Sequence, residues 1–366
     1  MKITSVDVFG YDVRYAHGEY VMSKGRAATH ELGTLVRLRT DEGLDGWGEI
    51  TPLGGTYLPT FTAGIRSALE ILGHAVFGQD PTNLSRVARA MDAALLGQNY
   101  AKSAIDIACW DLLGKATGKP VSVLLGGVLN DDFPLYEAVP LGAPGAMADF
   151  VAQRAEAGIR RFQLKVGNDP LDDVARAKAT RAVASDDTII IADSNGGWSI
   201  LDAQIALHQL DDVAVYIEQP CRTTDDCMIA MRGSRLPLVL DESIVTATDV
   251  FHAKHDAHAA SINIKISRVG GLTRAARMRD LMQDLNLKVS IEDMWGGDII
   301  TAAVSHIAAS TRQESLLMVS FFNDWTDGHV AGYEPRSLDG RGSAPTAPGL
   351  GITVDAAALG APLFSV

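Results

Sequence analysis

The sequence predicts an α/β fold, a closed barrel of parallel strands fronted by an α+β capping domain. Three observations carry this. From about residue 133 onward, eight short β-rich runs alternate with stretches of helical periodicity. The first 125 or so residues lack that rhythm. Five consecutive β-rich runs each end in a charged residue, at near-equal spacing.

The elements follow in order. Residues 2–15 alternate polar and apolar side chains and read as a strand. Runs at 35–40 and 44–49 flank Asp41-Glu42-Gly43 and form a hairpin, with Gly43 supplying the turn. Two long helical stretches follow, at about 62–77 and 83–116. Together these define a cap over residues 1–125. The barrel domain covers 126–345, with strands at 133–139, 161–166, 188–193, 213–218, 238–241, 261–266, 289–293 and 316–322. Helical segments such as AMADFVAQRAEAG and LTRAARMRDLMQDLN lie between them. Eight such units in series close into a parallel barrel. An open doubly wound sheet is the alternative, but no G-x-G-x-x-G follows the first strand. The tail, 346–366, carries a β-like run at 352–354 and is expected to return to the cap.

Composition bounds the function. At about 150 residues per domain, 366 residues make roughly two domains. The net charge of −13 repels phosphate backbones and anionic membranes. Three sparse cysteines argue against a disulfide framework and fit a reducing compartment. No signal-peptide core or membrane-spanning run is present. The expectation is a soluble cytoplasmic protein with a small-molecule partner, binding neither nucleic acid nor membrane.

In a parallel barrel, chemistry sits at the C-terminal ends of the strands. FQLKVG ends strand two with Gln163 and Lys165, and IIIADSN ends strand three with Asp193 and Asn195. VYIEQP brings Glu218, LVLDES brings Asp241 and Glu242, and INIKIS brings Lys265. VSIEDMWGGD brings Glu292 and Asp293. From Lys165 through Asp193, Glu218 and Asp241 to Lys265 the intervals are 28, 25, 23 and 24 residues, each about one βα unit. Three carboxylates on one rim repel unless a cation sits among them. An all-oxygen set favours Mg2+, or Mn2+, with Asp193, Glu218 and Asp241 as ligands. Lys165 and Lys265 flank the trio on opposite sides, so a substrate carboxylate at the metal would present its α-carbon to an amine on each side. A divalent cation stabilises the charge that develops when the α-proton leaves, and an amine desolvated beside it has a lowered pKa. Any one of these acids is explained by an ion pair or a helix cap. Five charges at one rim are not, because burying them costs stability.

These residues resemble a known family. FQLKVG, ADSN, YIEQP, LDES and NIKISRVGGLT, together with YAKSAIDIACWDLLGKATGKP at 100–120, look like the muconate lactonizing/mandelate racemase branch of the enolase superfamily. The resemblance covers essentially the whole chain. It implies a modified TIM-type barrel, (β/α)7β, under an N-terminal cap, and a homo-oligomer. It implies that Asp193, Glu218 and Asp241 bind Mg2+, that Lys165 and Lys265 are the acid/base pair, and that Asn195 and Glu242 support the ligands from behind. One departure stands out: the family's Lys-x-Lys on strand two is here Gln163-Leu164-Lys165, and Gln163 becomes a hydrogen-bond donor for a substrate carboxylate. PLGGTYLP, YIEQPC and IEDMWGGDII further resemble hydroxyproline betaine epimerases and cis-3-hydroxyproline dehydratases, which share the lysine pair.

Substrate contacts are expected from cap residues 20–26 and 54–59, with Tyr57 central, and from Asp293 and Trp295 after strand seven. Phe321, Phe322 and Trp325 extend an aromatic wall at the rim. Such a wall holds a quaternary ammonium by about 0.5–2 kcal/mol per ring. The reading is therefore a racemase or epimerase acting on a proline-like amino acid or its betaine through an enediolate. A hydroxyproline dehydratase or a cycloisomerase on the same scaffold is the alternative. Metal-dependent hydrolysis would call for histidine ligands, and none of the proposed rim positions is histidine. A non-catalytic barrel gives no reason for opposed lysines. His252, His255 and His258 sweep around a helix rather than face one metal, and Cys221 and Gly270-Gly271 read as structural.

Overall fold

The computed structural model describes residues 1–366. The first strand, Ile3–Tyr15, is the centre of an antiparallel sheet with His30–Thr40 and Asp45–Ile50. Gly43 makes the hairpin turn with φ +78°. Helix Asn99–Thr117 packs on the last of these strands. The approach is close enough that a Cβ at Gly48 would fall 1.9 Å from the Ala104 carbonyl oxygen, so the glycines of DGWGE are required there.

The second long helical stretch is two helices, Leu84–Ala94 and Asn99–Thr117, rather than one. Gly97 and Gln98 are both left-handed, with φ of +64° and +52°, and no helix continues through two such residues. The tail also differs from expectation. No strand forms at 352–354; instead Phe364–Ser365 pairs antiparallel with the first strand.

All eight barrel strands are present. Glu137–Val139, Arg161–Lys165, Ile189–Asp193, Tyr216–Glu218, Leu238–Leu240, Ser261–Lys265, Lys288–Glu292 and Leu316–Val319 run parallel in that spatial order. A parallel bridge between Leu135 and Val319 joins the last strand to the first and closes the barrel. The start of the first predicted run, Phe133–Pro134, instead pairs with Arg341–Gly342. An α-helix follows each of the first seven strands and only a 3-10 turn, Phe322–Asp324, follows the eighth, which is the (β/α)7β pattern. Strands this short and buried on both faces read as continuous apolar runs, which is why they were legible.

Helix Asp298–Ala309 is buried along its whole length. Glu49 of the cap caps its N-terminus, accepting from the N–H groups of Gly297 (2.7 Å) and Ile300 (2.9 Å). His252 pairs with Asp225 and Asp256 on the outer surface, as a solvated face would. No helix is long and apolar enough to cross a membrane.

Candidate active site

The strand registers bring the charged residues to one end of the barrel. Lys165 is level with Asp193, Asp193 with Glu218, and Lys265 with Glu292. Lys165 and Lys265 stand on strands two and six of eight, so they face each other across the barrel.

Glu218, Asp241 and Glu292 place carboxylate oxygens within 4.8 Å of one another, all buried. Burial, then the neighbouring carboxylates of Asp193, Asp241 and Glu292, pushes the Glu218 carboxyl well above its ordinary value. Burial also raises Asp241, but Arg268 and Lys265 more than reverse it, and its carboxyl is held low. Arg268 Nη1 donates to Asp241 Oδ1 at 2.8 Å, while Oδ2 accepts no well-directed hydrogen bond and has the Lys265 amine 2.8 Å away. Crowded, buried, all-oxygen donors with an incompletely bonded carboxylate fit a hard divalent cation. Of the three ligands expected from sequence, Glu218 and Asp241 lie in the cluster. Asp193 is one strand away, bound by Lys165 at 2.5 Å and by the Asn195 N–H at 2.8 Å.

Gln163 lines the cavity over the lysines, and its amide is already engaged on both sides. Its Oε1 accepts from the Lys165 amine at 2.8 Å, and its Nε2 donates to both oxygens of Glu218 at 3.1 and 3.0 Å. Asn263 Nδ2 adds a third donor to Glu218 at 2.8 Å. The lysines are not lowered while these pairs stand. Burial pulls both amines down, but Asp193 beside Lys165 and Asp241 beside Lys265 more than reverse it.

Asn195 and Glu242 lie behind the carboxylates. Asn195 Nδ2 donates to Asp193 (2.8 Å) and to Glu242 (3.1 Å). Tyr57 reaches in from the cap and donates to Glu242.

A cavity of about 330 Å3, including its open mouth, lies between cap and barrel over the two lysines. The lining side chains crowd it, so the cap-borne and barrel-borne groups that would meet a small substrate already lie close together. Tyr20, Tyr57 and Met22 line it from the cap; Tyr136, Trp295, Phe322 and Trp325 line it from the barrel. Trp295 stacks obliquely on Tyr20, centroids 5.2 Å apart. Phe321 instead packs on Phe133, away from the cavity.

The adjacent acids after strand seven divide their work. Asp293 lines the cavity, but its carboxylate accepts from the Ser267 N–H and hydroxyl and from the Met294 N–H. Glu292 presents Oε1 without a hydrogen-bond partner while Oε2 accepts from the Tyr136 hydroxyl. Burial pushes its carboxyl up to about 7, against the opposing pull of Lys265. Both acids line the cavity, and of the two only Glu292 has a carboxylate oxygen without a hydrogen-bond partner. Its alternation with Ser290 along one strand face was the signal available in sequence. Arg268 left no such signal, since its contact with Asp241 is made only in the fold.

Comparison with known proteins gives the following. Residues 6–126 match the model of the mandelate racemase/muconate lactonizing enzyme N-terminal domain, and residues 146–358 match that of the enolase C-terminal domain-like family. The chain is 43% identical over 363 residues, 99% of each chain, to a cis-3-hydroxy-L-proline dehydratase of Roseibium aggregatum. It is 28% identical over 85% of each chain to an N-succinyl-L-Arg/Lys racemase of Bacillus cereus. The structure superposes on a mandelate racemase/muconate lactonizing enzyme of Roseovarius nubinhibens complexed with magnesium, with a TM-score of 0.96, 33% identity and all of both chains covered.

Proposed function

The chain belongs to the mandelate racemase/muconate lactonizing enzyme family of the enolase superfamily, and from that premise we propose that it dehydrates a cis-3-hydroxyproline-type amino acid. The observation that carries this is the 43% identity, end to end, with the Roseibium dehydratase, against 28% with the racemase. It reverses the preference for epimerisation drawn from sequence and puts the dehydratase alternative first.

The site chemistry agrees with it. In a cis-3-hydroxyproline the carboxylate and hydroxyl share one ring face, so the α-proton and the hydroxyl lie on opposite faces. Removing both needs a proton acceptor on one side and a donor on the other. Lys165 and Lys265, on opposing walls, supply that pair. One neutral amine takes the α-proton, and the other, as ammonium, protonates the departing hydroxyl. Water leaves, and the ring keeps a C=C bond as an enamine that tautomerises to the imine. Mg2+ held by Glu218 and Asp241 of the carboxylate cluster, with Asp193, here paired to Lys165, as the third ligand expected from sequence, would stabilise the charge that builds on the substrate carboxylate. Glu292, lining the cavity with Oε1 unpartnered, accepts from the ring ammonium. The aromatic wall excludes water from the ring.

The opposed lysines also favour a second reading, 1,1-proton transfer, in which the second amine returns a proton to the α-carbon. Proton NMR in D2O with Mg2+ separates the two. The panel holds proline, its 3- and 4-hydroxy isomers and their betaines, with wild type beside Lys165→Ala and Lys265→Ala. Loss of the β-hydroxyl and appearance of an imine supports dehydration. Solvent deuterium at the α-carbon with the skeleton intact, and the other epimer growing in, supports epimerisation instead. No exchange in any compound would overturn the proline-type substrate.

A further inference from the structure

We propose that Arg268 is a positioning residue, fixing one oxygen of Asp241 so that the other is presented to the cation, and that the cap holds it there through Asn99. The inference rests on the reading of Asp241 as a metal ligand.

Arg268 follows Lys265 by three residues, in the short helix Ile266–Val269, and is 3% exposed. Its Nη1 donates both to the Asp241 main-chain oxygen (2.5 Å) and to Oδ1 (2.8 Å). One bond goes to the carboxylate and the other to the main chain of the same residue, so Nη1 ties Oδ1 to the backbone at Asp241 and limits rotation of that carboxylate. Oδ2 is left to Lys265, at 2.8 Å. A cation that takes Oδ2 therefore competes with Lys265 and not with Arg268. The amine it displaces is one that already lines the cavity. One carboxylate thus serves two cations in different ways: Arg268 anchors it, and Lys265 is released from it.

The anchor is itself tied to the cap. Asn99 Nδ2 donates to the Arg268 main-chain oxygen at 3.0 Å, across 169 residues of sequence. Asn99 Oδ1 accepts from Arg274 Nη1 at 3.1 Å, and Arg274 is held by both oxygens of Asp92 at 2.9 Å. The run Asp92, Arg274, Asn99, Arg268, Asp241 leads unbroken from the cap surface to the site. The left-handed pair Gly97-Gln98 sets Asn99 at the start of its helix, facing the turn after Lys265. Asn99 can donate and accept at once, and the relay uses both.

The test is calorimetric titration of metal-free protein with Mn2+, so the readout does not depend on turnover. Wild type binds, and Asp241→Asn loses the binding. Arg268→Lys, a shorter side chain, weakens affinity by about 10–100-fold. Because a buried arginine variant can misfold, Asn99→Asp is the second probe. It keeps the acceptor for Arg274, as a charged one, and replaces the donor to Arg268 by a carboxylate oxygen that faces the Arg268 carbonyl. It should weaken Mn2+ binding by about 3–10-fold with an unchanged melting temperature, and add little on top of Arg268→Lys. If wild type binds and Asp241→Asn does not, but both Arg268→Lys and Asn99→Asp bind as wild type does, the positioning role is overturned. If Asp241→Asn binds Mn2+ normally, the ligand reading fails, and this inference with it.

Discussion

The hydroxyl of Tyr57 donates to Glu242 Oε1 across 185 residues of sequence, and the same hydroxyl lies 3.5 Å from the Lys265 amine. This contact fastens a cap loop to the end of the fifth barrel strand, beside the cavity. Glu242 also accepts from Asn195, so the ends of strands three and five are joined to the same point. Tyr57→Phe keeps the ring over Lys265 and removes the fastening. A hydrogen bond to a charged acceptor contributes about 1.5–3 kcal/mol, so kcat/KM should fall by about 10–100-fold. Proteolytic cleavage within 54–60 should quicken in the same variant. An unchanged kcat/KM would mean that the loop is held by its packing alone.

Gln163 holds a base and a carboxylate together. Gln163→Met keeps the length and loses both contacts, leaving the Lys165 amine less well directed. A misplacement of about 1 Å costs on the order of 100-fold, so kcat should drop much more than KM rises. Steady-state kinetics over a substrate range checks this. The reverse pattern, KM rising with kcat intact, would favour the substrate-binding role expected from sequence for this cavity-lining residue.

Removal of divalent metal should abolish turnover, and Mg2+ should restore it. In Glu218→Gln no Mg2+ concentration should restore wild-type activity. The metal-free variant should melt no lower than metal-free wild type, because one of a crowded set of buried acids has been neutralised. Thermal melts with and without chelator read both outcomes. Full activity after exhaustive chelation would overturn the metal assignment.

His306 predicts an acid limit to stability. Its Nδ1 accepts from the Ser122 N–H at 3.2 Å and its Nε2 donates to the Leu350 carbonyl at 3.0 Å, so the neutral ring is fully bonded. Burial, against the opposing effect of the Leu350 bond, lowers its pKa from 6.5 to about 4. A base depressed in the fold contributes stability that is complete above pH 6.5 and lost as pH falls toward 4. The amount is about 3 kcal/mol at 1.36 kcal/mol per unit. Urea melts of wild type should weaken across that window. His306→Gln should start lower at pH 7 and show a flatter profile between pH 6.5 and 4.

The eight barrel strands were legible because each is a short apolar run whose period and bounds are local. The lysines and acids were legible because the barrel repeats at a regular interval, so a charge at each strand end is visible as spacing. What was hidden depends on the fold. The break at Gly97-Gln98 lies inside an alanine-rich stretch whose composition favours helix on both sides. The tail strand is set by the free edge of Ile3–Tyr15, not by β-propensity, so Phe364–Ser365 takes it and Ile352 does not. Glu292 and Asp293 are neighbours of one type that both line the cavity, and only their fold contacts separate the acid with an unbonded oxygen from the one bound by Ser267.

The pairing of Phe364–Ser365 with the first strand also bears on how the chain assembles. Val6 and Val366 exchange both main-chain bonds, at 2.8 and 3.0 Å, and Ser365 Oγ reaches Asp7 across 358 positions. During synthesis the cap sheet precedes the barrel, yet its first strand waits with an unpaired edge until every barrel strand has emerged. Contacts this distant in sequence slow folding, and an unpaired edge invites association with other chains. The edge of the first strand is therefore open to association throughout synthesis of the barrel.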